Sequence, residues 1–179
     1  MNNHIFYNQS PWHASSLNTI PNMIDYNVSI PIDLMKSMEG KYFVGMAENL
    51  QFGNATNAWA RLYNPPNSGV NLYVNTWAVS DILTTPYRVR VWLNSTPRGI
   101  IEYSHGVTPS NLTIVPNPRP HVYLQYAISV NGFPSDGVMA AVRYGLANTT
   151  ITSDEGGKFI FPPGGSFMVA MSNPERPTV

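Results

Sequence analysis

From about residue 39 the chain alternates apolar and polar positions in short runs, each closed by a cluster of proline, glycine or asparagine. A period of two puts successive side chains on opposite faces of an extended strand, so each run predicts a half-buried β-strand. Residues 41–46 (KYFVGM) open the series, and residues 57–63 (NAWARLY) run into the turn Asn64-Pro65-Pro66-Asn67-Ser68-Gly69. In residues 70–79 the pattern sets Val70, Leu72, Val74, Thr76 and Ala78 on one face. Residues 87–94 point Tyr87, Val89, Val91 and Leu93 inward and Arg88, Arg90 and Asn94 outward. Weaker runs occupy residues 99–103 and 111–115. Residues 121–130 align Val122, Leu124, Tyr126, Ile128 and Val130. Residues 138–144 and 148–153 follow, and residues 158–161 and 166–172 close the series, divided by Pro162-Pro163-Gly164-Gly165. Asp154-Glu155-Gly156-Gly157 reads as a turn between two strands. The one helical signal is a single turn near residues 33–38.

Eight or more strands without intervening helices cannot build parallel βαβ units. The predicted fold is all-β: an antiparallel two-sheet β-sandwich, jelly-roll-like, with an extended N-terminal arm. Its divisions are an arm over residues 1–38, the sandwich over 39–173 and a tail over 174–179. The inward parity predicts a core containing Val89, Val91, Leu93, Val122, Leu124, Tyr126, Phe167 and Val169.

The arm follows neither period. Pro11, Pro21 and Pro31 interrupt it at ten-residue spacing, yet it carries Ile5, Phe6, Tyr7, Trp12, Ile20, Ile24, Tyr26, Val28 and Ile30. Disordered tails are poor in such residues. An extended apolar segment needs a groove, on its own domain or on a neighbour, and these nine residues are the expected assembly contacts.

Composition narrows the choice of function. Hydrophobic residues make up 43% of the 179 positions, whereas charged residues make up 11%, against roughly 25% in ordinary soluble domains. Ten basic and ten acidic residues cancel, which leaves no electrostatic footprint for nucleic acid or anionic lipid. It also leaves none of the self-repulsion that keeps monomers apart. Cysteine is absent, excluding disulfides, thiolate nucleophiles and cysteine-based zinc sites. The start of the chain shows no signal peptide, and no stretch approaches the roughly 20 apolar residues of a membrane helix.

Chemistry-bearing motifs are missing as well. His4, His13, His105 and His121 fall in no metal-binding pattern, and Ser153-Asp154-Glu155 offers too few oxygens for a calcium loop. Pro162-Pro163-Gly164-Gly165-Ser166 lacks the ending of a phosphate loop, and no nucleophile elbow occurs. No catalytic residue, cofactor or metal site is therefore expected. What stands out is aromatic: Trp59, Tyr63, Tyr73, Trp77, Trp92 and Tyr123 lie on the parity opposite the inferred core. In a sandwich those positions face outward. Either loops or the arm cover them, or they form an exposed patch for a protein or a sugar.

The runs GKYFVG, NAWARLYNPPNSGVNLYVN and GKFIFPPGGSF, behind an apolar arm and before a final strand, resemble small uncharacterised proteins of spore-forming bacteria. The layout is similar to that of endospore appendage subunits. That resemblance implies a filament in which the arm of one subunit docks into the sandwich of the next, outside the cell or on the spore. Arms of that family carry cross-linking cysteines and this chain has none, so strand addition and burial alone would hold such a filament. Two further classes stay open: a carbohydrate-binding or adhesin module stacking sugars on Trp77, Trp92 and Tyr73, and a phage or virus shell or decoration protein.

Overall fold

The computed structural model describes residues 29–82 and 84–174. Ten strands and one short helix lie in that span: α1 (Ile32–Met38), β1 (Phe43–Met46), β2 (Thr56–Tyr63), β3 (Leu72–Ser80), β4 (Tyr87–Leu93), β5 (Glu102–Tyr103), β6 (Gly106–Pro109), β7 (Tyr123–Asn131), β8 (Val138–Gly145), β9 (Thr150–Phe161) and β10 (Ser166–Ser172). All the pairings between them are antiparallel. Six strands form one sheet in the order β5-β7-β2-β10-β4-β8. The second layer consists of two ribbons, β3 with β9 and β1 with β6, tied together where Asn75 Nδ2 donates to Tyr42 Oη at 2.7 Å. The fold is thus an all-β antiparallel sandwich whose smaller layer is split.

The main core fills the space between the six-stranded sheet and the β3–β9 ribbon. Ala58, Tyr87, Val89, Val91, Phe167, Val169 and Met171 meet Leu72, Val74 and Phe161 there. Of the predicted core, Val89, Val91, Phe167 and Val169 are buried, while Leu93, Val122, Leu124 and Tyr126 are half-buried. Central β10 is buried along all seven residues because β2 and β4 flank it and both its faces are covered. That is why its sequence, SFMVAMS, reads as a nearly continuous apolar run.

Turn residues act as their chemistry requires. Buried Asn64 donates from Nδ2 to Val70 O at 2.8 Å and to Phe161 O at 3.1 Å, and its backbone bonds both Gly164 and Gly165. One side chain thereby joins the 64–69 turn to the 162–165 turn. Asn94 pairs with Ser166 in the same way, through main chain at 2.9 Å and through Oδ1 at 3.0 Å.

Bulges account for most departures from the sequence pattern, because one extra residue exchanges the two faces of a strand. The β3–β9 register shifts between Val74 and Thr76, so Trp77 and Val79 pack on the core in place of the expected Thr76 and Ala78. The predicted turn at residues 154–157 lies inside this irregularity. Gly156 and Gly157 take φ of 55° and 72°, Asp154 Oδ1 accepts from Gly156 N–H, and β9 continues on both sides against the same partner. The two expected strands are therefore one. A second shift, in the β2–β7 pair, sends Val130 to the opposite face from Val122 and leaves Ile128 exposed. Residues 111–115 form turns instead of a strand, and β1 pairs with residues 106–109, which the alternation did not mark. The helix forms where expected, and all its apolar side chains are at the surface. The described residues from Pro31 onward form one compact unit.

Candidate functional site

The site lies on the face of the six-stranded sheet turned away from the β3–β9 ribbon. Alternation along β2 sends Trp59, Arg61 and Tyr63 to this face, opposite Ala127, Gln125 and Tyr123 of β7. β5 adds Tyr103 beside Gln125, and β10 and β4 add Met168, Ala170, Arg88, Arg90 and Trp92. Two loop segments fold back over it. Trp59 Nε1 donates to Arg98 O at 2.8 Å, and Ser95 Oγ sits 4.0 Å from Met168 Sδ. Gly99, at φ 91°, approaches so closely that a Cβ there would stand 2.7 Å from Val130 Cγ2. Phe133 lies over the Arg90 guanidinium at 3.9 Å, and Arg90 Nη1 donates to Ser172 Oγ at 3.0 Å.

These closures decide the fate of the six aromatics expected to face outward. Trp59 is on the predicted face but only 2% exposed, and Trp92 and Tyr63 are half-buried. Trp77 has turned to the core, with Nε1 donating to Glu155 Oε1 at 2.9 Å. Tyr73 and Tyr123 are exposed, but Tyr73 belongs to the ribbon and Tyr123 to the large sheet, so the six make no single patch. A stacking surface from Trp77, Trp92 and Tyr73 is likewise not assembled. Of the arm residues, Ile5, Phe6, Tyr7, Trp12, Ile20, Ile24, Tyr26 and Val28 lie outside the described residues, and Ile30 is exposed.

The sequence pattern passed over Arg61. Its side chain is 8% exposed and runs between two aromatic rings, with Cζ 4.6 Å from the Tyr63 centroid and 5.9 Å from that of Trp59. Nε donates to Gln125 Oε1 at 2.7 Å, and Nη1 makes a long contact of 3.5 Å with Ser95 O. Burial pushes its pKa down, while the Tyr63 and Tyr103 phenols act the other way; a guanidinium so placed stays charged at any ordinary pH. The legible signal was the shared parity of residues 59, 61 and 63, facing residues 123, 125 and 127.

Elsewhere the loops are pinned by Asp136, whose carboxylate accepts from Thr96 Oγ1 at 2.6 Å and Thr96 N at 2.8 Å. Those two bonds, the hydroxyl's first, hold its carboxyl below the usual range. Among the described residues no group of three His, Asp or Glu could hold a metal ion, and no helix is long and apolar enough to cross a membrane.

Fold and site together define an antiparallel β-sandwich protein whose larger sheet carries a covered face of arginine and aromatic side chains. A family model described as a family of unknown function, DUF6143, matches residues 18–177, and the chain belongs to that family. No curated protein and no solved structure matches it.

Proposed function

We propose that this protein is a non-catalytic structural subunit that assembles with further copies of itself, the N-terminal arm of one copy docking on the sandwich of the next. The observation that carries this reading is β8. It ends the six-stranded sheet and, among the described residues, pairs only with β4. Its eight residues, VMAAVRYG, contain no proline, and Val138, Met139 and Tyr144 are exposed. Its one charge, Arg143, bonds Ser153 of β9 at 3.3 Å. Soluble proteins ordinarily protect such an edge with charge, proline or a covering loop, because its free N–H and C=O groups template another strand.

The arm has the matching chemistry. Residues 12–20 and 22–30, between successive prolines, are each nine long, enough to run beside eight residues of β8. An added strand bonds through its main chain, and alternate side chains such as Ile20, Ile24, Tyr26 and Val28 find pockets. Joining an arm to an edge is a head-to-tail contact, which propagates into a fibre unless the rotation closes a ring. Zero net charge and few charged residues favour such association. An extracellular or spore-surface filament is the setting that the resemblance to appendage subunits suggests.

Negative-stain microscopy of the full chain tests this beside two variants: deletion of residues 1–30, and Met139→Lys on the edge. Fibres or rings from the full chain, with soluble monomers from both variants, are expected. Normal polymerisation of either variant, or a full chain that stays monomeric, overturns the reading.

A further inference from the structure

We infer that Arg61, with Tyr63, Tyr103 and Tyr123, forms a binding site for the carboxylate of an acidic sugar, a function separate from assembly. Arg61 is more than nine-tenths buried, yet no carboxylate among the described residues meets it. Nε is held by Gln125, itself 2% exposed, while Nη2 makes no hydrogen bond to any described residue. Glu102, the acid nearest along the sheet, pairs in register with Tyr126, and so belongs to the opposite face from Tyr103 and Gln125. Asp136 is taken by Thr96. A desolvated cation with no counter-charge is costly. The Tyr63 and Trp59 rings offset part of that cost, and an anionic ligand would offset more. The planar guanidinium suits a carboxylate because it donates two parallel bonds.

The surroundings select the class of ligand. Across β2, β7 and β5 the register sets Arg61 beside Gln125 beside Tyr103, with Tyr63 beside Tyr123 in the next row. Tyr103 and Tyr123 meet edge to face at 5.5 Å and are 53% and 46% exposed, so the cluster opens to solvent along two phenol rings. Such rings offer a flat apolar face to sugar C–H groups and a hydroxyl to sugar oxygens. Arg88 and Arg90, two strands away on β4, are engaged by Tyr144 and by Phe133 and Ser172. The cluster therefore presents one cation, which fits a single carboxylate better than a polyphosphate or nucleic acid backbone.

The probes are glucuronate, glucose and N-acetylglutamate, titrated into the full chain by calorimetry and by ligand-observed NMR. Glucuronate should bind at least about tenfold more tightly than either other probe, since glucose lacks the charge and N-acetylglutamate the ring. Tyr103→Ala/Tyr123→Ala, two exposed positions whose loss leaves the cores intact, should weaken glucuronate by about fivefold or more. Arg61→Lys, which keeps the charge but loses the fork, should narrow the preference over glucose, and Arg61→Gln, which loses both, should abolish it. Equal binding of glucuronate and glucose, no binding of glucuronate, or indifference to the tyrosine double variant each overturns the site. N-acetylglutamate binding as well as glucuronate overturns the sugar assignment and points to a peptide carboxylate, such as one from a second copy.

Discussion

At Gly145 the absence of a side chain is a packing requirement. A Cβ there would lie 2.3 Å from the ring of Tyr87, which is fully buried and whose hydroxyl bonds Val79 O at 3.1 Å and Thr149 O at 3.0 Å. Tyr87 cannot withdraw without breaking those bonds, so Gly145→Ala should cost about 1–3 kcal/mol in chemical denaturation. Met168 poses the opposite case. It is fully buried under Trp59, Ala127 and Ala170, and Met168→Ala should cost about 2–5 kcal/mol through lost burial and a residual cavity. If that cost falls near zero, the covered face contributes little to stability and the loops over it are loosely held.

The loops after β4 and after β7 are joined by a charge-assisted contact, and the pH dependence of stability should report it. The folded-state pKa of Asp136 is lowered by the Thr96 hydroxyl and amide. A lowered pKa means the carboxylate stabilises the fold above its unfolded value of about 3.9, and that this contribution disappears as pH falls through the folded value. Thr96→Val removes the hydroxyl and keeps the amide. The variant should melt below the parent at pH 7, and the gap should narrow as the pH falls below the unfolded value and through the lowered folded one. A gap that persists unchanged into acid would assign the effect to packing at Thr96. On a larger scale, the 57–63 and 123–127 alternations were legible as strands because both of their faces are used with period two. The β3–β9 ribbon was half legible: Trp77 and the 154–157 segment were misread because a bulge obeys the pairing of two strands and leaves no periodic trace in one.

Across the whole molecule the central strand arrives last. β10, residues 166–172, inserts between β2 and β4, so the sheet cannot close until nearly all the chain is present. Removing residues 166–179 should abolish cooperative unfolding and native-like near-ultraviolet dichroism, whereas an edge-strand substitution such as Met139→Lys should leave both. Pairings so distant in sequence also imply refolding on the millisecond-to-second scale, which stopped-flow fluorescence of the tryptophans can check. A truncated chain that still unfolds cooperatively would place the stabilising core in the ribbons. The sequence by itself determined the all-β class, the antiparallel pairing, the turns at residues 64–69 and 162–165 and the buried parity of Val89, Val91, Phe167 and Val169, because those depend on local chain geometry and side-chain alternation. Only the tertiary structure decided that Trp59 is covered, that Trp77 turns inward and that Arg61 stands among tyrosines without an acid. Those outcomes depend on which loops fold over a sheet and where its registers shift, and both are set by contacts between residues far apart in the chain.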